Sequence, residues 1–339
     1  MSGLLTLDGS IGEGGGQVLR SALALSLCLR KPFRISNIRA ARKKPGLRPQ
    51  QLVAVKAAAT DGHAEVKGAS LGSLELEFIP YTIEPGEYQF DIGTAGSTTL
   101  VLQTLLPALL TAAGPSHIQL QGGTHNPLAP PFDFFEQAFV PLVNRMGPKI
   151  KVEQQSAGFY PVGGGIVTAT ITPSPTLQPL HLMERGPILA QRASVMLSRL
   201  PDHIAQRELN VIGRQLGLLK RDMETQHTDA KGPGNAVMVK IESEHVTEIF
   251  TGIGVRGVKA ETVAEGVVTE VQRYLRAGVP VGEYLADQLL LPLALAGGGG
   301  FVTLKPSRHT STNIAVIEQL TGIQLYCEEL GHDRWRISC

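Results

Sequence analysis

The sequence predicts an α/β chain of the α+β kind, a repeated body of βαβαββ-like units with a small α/β domain inserted ahead of the last stretch. Three observations carry this. A cassette of glycine-rich turn, apolar helix and short strand is written three times, opening at Gly12, Gly93 and Gly282. The first two copies lie inside a recurring order of strands and helices, the mark of an internally repeated architecture. After the second, Pro173, Pro175 and Pro179 break the pattern, because proline has no N–H for a sheet ladder and stiffens a connection.

Residues 4–7 alternate and precede a turn, so they read as a strand, and residues 18–29 carry apolar side chains around much of a helix that must be buried. Residues 33–38 read as the next strand, 49–60 as a helix, and 64–67 with 74–79 as a closing hairpin. The same order returns in 88–92, 100–110, 118–121, 132–145, 150–154 and 166–171. Past the prolines, 189–200, 205–215, 236–241, 246–250 and 260–275 form a separate set of strands and helices of small-domain size. The expected division is a repeated body over residues 1–181, an inserted domain over 182–278, and a return to the body over 279–339 that carries the third cassette.

Bulk composition narrows the function classes. With 339 residues and 42% hydrophobic content the chain can bury a large core, and it is no disordered tail. Its 31 Lys and Arg against 30 Asp and Glu leave a net charge of +1, so any contact with nucleic acid must be local. Three scattered cysteines, Cys28, Cys327 and Cys339, offer no disulfide framework, and a reducing cytoplasm is expected. The amino terminus has no export signal and no apolar run is long enough to span a bilayer, so no membrane partner is expected.

The third cassette ends at His309, just past an expected strand that follows four consecutive glycines, Gly297 to Gly300. A neutral imidazole is a good nucleophile, and its ordinary pKa of about 6.5 leaves it mostly unprotonated near neutrality. Nine histidines are present, and the repeat is what singles this one out. The loop Gly12-Glu13-Gly14-Gly15-Gly16-Gln17 fits neither the dinucleotide nor the Walker pattern. It serves either tight helix packing or phosphate contact through backbone N–H groups. Glu13 would repel phosphate there unless a hard divalent cation, Mg²⁺ or Mn²⁺, bridges the two. Arg20, Arg39, Arg42, Lys43, Lys44 and Arg48 are candidate phosphate ligands, since guanidinium groups fork onto phosphate oxygens. Tyr284 and a proline could form a slot for a flat base with Asp287, Gln288 and Gln103 as polar readers, although composition alone favours Tyr284 in the core.

Taken together, Gly12 through Arg20, Lys44-Pro45-Gly46-Leu47-Arg48, Gly282 through Gln288, and Ser307-Arg308-His309 resemble the RNA 3′-terminal phosphate cyclase family over essentially the whole chain. The resemblance implies three repeats like the C-terminal domain of a bacterial translation initiation factor, with an inserted small α/β domain. It implies a cytoplasmic ligase that uses ATP and a divalent cation to convert an RNA 3′-phosphate into a 2′,3′-cyclic phosphate. His309 would attack the α-phosphorus and carry AMP, the AMP would pass to the RNA 3′-phosphate, and the vicinal 2′-OH would close the ring and expel AMP. By the same carry-over Glu13 is metal-linked, and Gln17, Arg20, Arg39 and Arg42 contact phosphate or nucleotide. Pro131 and Tyr284 flank adenine, while Gln103 and the run Tyr284, Leu285, Ala286, Asp287, Gln288 match ATP-binding positions. Gln51 stands where a histidine is expected, a departure from the family pattern.

Two rivals stand beside this. One is a branch of the same family that acts in ribosome assembly as an interaction protein and lacks the nucleophile. The other is a phosphate-handling transferase on similar repeats, such as an enolpyruvyl transferase, which needs no covalent histidine. Retention of His309, Glu13, Arg20, Arg39 and Arg42 favours the enzyme. Nothing in the sequence fixes an oligomeric state.

Overall fold

The computed structural model describes residues 4–339. Strand β1 (Leu5–Asp8) leads through the glycine turn to α1 (Gln17–Leu29), β2 (Phe33–Ser36), α2 (Pro49–Asp61) and the hairpin of β3 (Glu65–Lys67) and β4 (Leu76–Ile79). The order repeats in β5 (Glu87–Asp91), α3 (Thr98–Leu109), β6 (Ser116–Gly122), a helix of three pieces, and β7 (Lys149–Ser156) with β8 (Gly165–Thr172). Those pieces are α4 (Phe132–Phe134), a π-helical turn at Phe135–Phe139, and α5 (Val140–Asn144). After β9 (Leu180–Leu182) come β10 (Ile188–Ser198), α6 (His203–Leu216), β11 (Met223–His227), β12 (Gly234–Ser243), β13 (Thr247–Ile253) and α7 (Ala260–Ala277). The chain closes with α8 (Glu283–Ala296), β14 (Gly299–Thr303), α9 (Arg308–Thr321), β15 (Tyr326–Gly331) and β16 (Arg334–Ser338).

Three of the four sheets have one topology. Read from the first strand of each unit, the orders are β1-β2-β4-β3, β5-β6-β8-β7 and β9-β14-β16-β15. In each the first pair is parallel, with registers Leu5↔Phe33, Glu87↔His117 and Leu180↔Gly299, and the remaining pairs are antiparallel. A parallel neighbour requires a crossover, which is the work of α1, α3 and α8. The third unit therefore starts at Leu180, ahead of the segment of different pattern, and that segment occupies the strand-to-helix turn that is a short glycine loop in the other two. Three residues of β9 are too few to show a period, which is why the sequence places the start of the third unit at the later cassette.

Helices α1, α3 and α8 are apolar on nearly every face because each is packed on several sides. The second helix of each unit packs on the first helix of the next: α2 on α3, the π turn on α8, and α9 back on α1. The three units thus close into a ring. Pro107 and Pro292 sit inside α3 and α8 at matching points, with Gln103 and Gln288 one turn before them. The fourth sheet, of order β11-β10-β12-β13, is covered by α6 and α7. It holds a second apolar cluster that includes Val195, Val237, Val239, Val268 and Tyr274. Among the described residues no helix is long and apolar enough to cross a membrane.

Candidate active site

One cavity of about 800 Å³ opens where all three units and β13 meet. Glu13, Gln17 and Arg20 reach it from the first glycine turn and α1, and Arg39 and Arg42 from the loop after β2. Gln103 comes from α3, Pro131 from the cap of α4, and Tyr284, Asp287 and Gln288 from α8. His309 completes the wall from α9. Five of the residues singled out in the sequence do not line it: Lys43, Lys44 and Arg48 lie on the loop between β2 and α2 outside the cavity, and Leu285 and Ala286 are the other two. Leu285 and Ala286 are buried in the core, because they lie on the face of α8 that packs inward while Tyr284, Asp287 and Gln288 lie on the other.

His309 is the second residue of α9 and not a strand end as the sequence suggests. Ser307 caps that helix, its hydroxyl accepting from the Thr310 N–H at 3.1 Å. The counterpart of His309 in the first unit is consequently Gln50, the second residue of α2, and not the Arg39–Lys44 loop. The imidazole is half exposed, and its Nδ1 lies 2.8 Å from Gln17 Oε1. Gln17 Nε2 in turn donates to Asp287 Oδ1 at 2.5 Å, and Asn313 Nδ2 donates to Asp287 O at 3.0 Å. Ser21 Oγ donates to Asn313 Oδ1 at 2.6 Å and fixes that amide. A carboxylate accepts only, so Gln17 must turn its NH₂ to Asp287 and its carbonyl to the histidine. That assigns the imidazole proton to Nδ1 and leaves the lone pair on Nε2.

Burial pushes the Asp287 carboxyl up, opposed by the Gln17 hydrogen bond and by the charges of His309 and Arg20. The Arg20 guanidinium has no hydrogen bond or ion pair among the described residues, and burial pulls its pKa down against the attraction of Asp287 and Glu13. An unpaired guanidinium beside a cavity is a site for an anion. Arg39 is held by the carbonyls of Lys44 and Gly46 at 3.0 and 3.1 Å. Burial first, then the neighbouring charges of Arg42 and Arg48, lower its pKa, so this wall is a concentration of positive charge.

Glu13 is nearly buried, paired with Arg42 Nη2 and 3.9 Å from His309 Nδ1. The glycines around it are there for space. Gly12 has φ +64° and a Cβ there would overlap Thr312 Oγ1, while a Cβ on Gly15 would overlap the Glu13 carboxylate. Glu13 N donates to Thr312 Oγ1 at 3.1 Å, which ties the first turn to α9. Among the described residues no three His, Cys, Asp or Glu side chains converge as a metal cage. A single carboxylate on a cavity wall that also carries Arg20, Arg39 and Arg42 fits a hard cation only if an anionic ligand supplies the remaining oxygens.

The sequence reading passed over several lining residues. Ile249, Thr251 and Ile253 present one face of β13, and the exposed Tyr160 and Leu128 also line the cavity; Gln51, noted in the sequence as a departure from the family pattern, lines it too, buried with its Oε1 unpartnered. Asn313 was findable, being one helical turn beyond His309 on the same face. The β13 residues alternate as an ordinary core strand does, so only the tertiary arrangement reveals them.

A family model described as RNA 3′-terminal phosphate cyclase matches residues 11–327. A protein of Ectopseudomonas mendocina named RNA 3′-terminal phosphate cyclase is 49% identical over 96% of this chain and 95% of its own length. Proteins of the same name from Koribacter versatilis and Pseudomonas fluorescens are 49% and 48% identical, covering 96% and 99% of this chain and 92% and 98% of theirs.

Proposed function

Because this chain belongs to the RNA 3′-terminal phosphate cyclase family, we propose that His309 is the nucleophile through which its reaction runs. RNA 3′-terminal phosphate cyclisation is the activity, a ligase reaction, and RNA and ATP are the substrates the family implies. The observation that carries the assignment is the chain Asp287, Gln17, His309: it holds the proton on Nδ1 and presents Nε2 as a free base.

Nε2 attacks the α-phosphorus of ATP, the bond to the β-phosphate oxygen breaks, and pyrophosphate leaves AMP on the imidazole. The proton stays on Nδ1, donated to Gln17 Oε1 throughout, so the cationic phosphoramidate that forms is stabilised by Asp287 one hydrogen bond further on. An RNA 3′-phosphate oxygen then takes the AMP, and His309 is restored. The vicinal 2′-OH attacks the activated 3′-phosphorus and expels AMP, the good leaving group that a bare phosphate monoester lacks. Arg20, Arg39 and Arg42 hold the transferring phosphates. Pro131 and Tyr284 flank the adenine, and the bonded amides of Gln103 and Gln288 read its edge. Glu13 is the residue that would hold Mg²⁺ or Mn²⁺, whose charge offsets that of the phosphates.

In this reading residues 1–181 and 279–339 are the catalytic body, and residues 182–278 are an inserted domain that supplies one wall through Ile249, Thr251 and Ile253. The compartment is the cytoplasm, supported by three unpaired cysteines. The test is incubation with α-labelled ATP and Mg²⁺. Label is expected on the peptide that carries His309, labile to acid and stable to alkali. His309→Ala is expected to take none while unfolding within about 1 kcal/mol of wild type, since the side chain is half exposed. A variant that still becomes labelled overturns the assignment.

A further inference from the structure

We propose that Tyr160, backed by Leu128, is a stacking platform for the base of the RNA's 3′-terminal nucleotide. The proposal deepens the cyclase reading and rests on it. Both substrates must meet in one cavity, because AMP on His309 has to reach the RNA phosphate. The cavity therefore needs a second surface for a base besides the one that Tyr284 and Pro131 offer.

Tyr160 is an aromatic ring with no structural duty. It is 66% exposed, lines the cavity that His309 lines, and its hydroxyl has no hydrogen bond among the described residues. The turn that presents it is rigid. Phe159 and Gly163 pair with each other, and Gly163 N donates to Phe159 O at 2.7 Å. The Phe159 ring is buried and stacked on His125 at 5.4 Å between centroids. Gly163 takes φ +70° against the backbone of Thr94 and Ala95, where a Cβ would collide.

Leu128 makes the same point from another loop that lines the same cavity. It is fully exposed and held at φ +62°, a left-handed conformation that is unfavourable for a non-glycine residue. The loop on either side is pinned: Asn126 Nδ2 donates to Ala95 O at 2.6 Å and Thr99 Oγ1 to Pro130 O at 2.7 Å. A pinned loop that turns an apolar side chain outward beside a cavity fits an apolar, flat ligand. Exposed Lys231 lies beside Gly164 of the Tyr160 turn and forms no ion pair among the described residues. An aromatic ring and a cation carried by the same turn region are the two kinds of group that hold single-stranded RNA, the base on the ring and a phosphate on the amine. With a net charge of only +1 the protein has no long-range pull on RNA, so a stacked terminal base is what retains the end.

The experiment is steady-state cyclisation of a 3′-phosphorylated oligoribonucleotide by wild type, Tyr160→Ala and Tyr160→Phe, together with single-turnover labelling of His309 by ATP alone. A second oligonucleotide keeps the terminal ribose, 2′-OH and 3′-phosphate and lacks the terminal base. Tyr160→Ala is expected to raise KM for the intact RNA about tenfold, with Tyr160→Phe restoring it, while the labelling rate stays at the wild-type value. On the abasic substrate wild type and Tyr160→Ala are expected to coincide. An unchanged KM, an equal penalty on the abasic substrate, or a defect in labelling by ATP overturns the proposal, the last by assigning Tyr160 to the adenine of ATP. Failure of wild type to be labelled at all strikes the His309 reading instead, and the KM comparison separates the two.

Discussion

At His309 the reactivity of one side chain is set by an amide that itself has no chemistry. Gln17 turns its carbonyl to the imidazole only because Asp287 takes its NH₂, so the tautomer of the proposed nucleophile is decided two residues away. Gln17→Met keeps the volume and removes both hydrogen bonds. Partners of this kind are worth about 10–100-fold, and single-turnover labelling by ATP is expected to slow by that factor with little change in thermal stability. Asp61 offers a residue whose burial costs stability. Neither carboxylate oxygen has a partner, and burial pushes the group up to about 7, with Tyr88 and His63 opposing. The unfolded chain releases this proton near the ordinary value of 3.8 and the folded chain near 7, so stability drains away as pH rises between them and the loss is complete above 7. Asp61→Asn is expected to stabilise by roughly 1–3 kcal/mol above pH 7 and by almost nothing at pH 4, as urea unfolding at the two pH values would read.

The elements show where pattern suffices and where it does not. Gly12→Ala would force a Cβ into Thr312 and a side chain into φ +64°, pulling the first turn off α9. A destabilisation of about 1–2 kcal/mol with loss of labelling is expected, and a variant with wild-type activity would show that this turn need not be fixed. Long apolar runs made α1, α3 and α8 legible in the sequence, and their shared grammar made the repeat legible. Leu180–Leu182 was not legible, because a three-residue strand has no period. His309 was read as a strand end since a strand precedes it, although Ser307 is a good cap and signals a helix. Arg20, Arg39 and Arg42 stood out by charge and Glu13 by its odd place among glycines. Tyr160 and Leu128 lie in turns, where a ring or an apolar side chain looks accidental until the cavity beside it is visible.

For the molecule as a whole, three buried carboxyls in three different places act in the same direction. Burial pushes Asp61 and Glu208 up to about 7 and Glu248 up to about 8, and hydrogen bonds oppose it at the latter two, from Asn235 and from the Gly282 N–H respectively. Each contributes stability below its ordinary pKa that is lost as pH rises toward the folded value, so the melting temperature is expected to decline between about pH 5 and pH 8. A melting temperature that rises across that window would mean these groups are not buried as described. Glu248 also shows how the parts are coupled: from β13 it accepts the N–H of Gly282, which starts the helix that carries Tyr284 and Asp287.

The ring has one further consequence, for a chain made from its first residue to its last. Glu13 and Gln17 leave the ribosome early, and the histidine they wait for follows almost three hundred residues later. On the proposed assignment of His309, a nascent product that stops short of residue 309 has no side chain to take an adenylate, however complete its first glycine turn is.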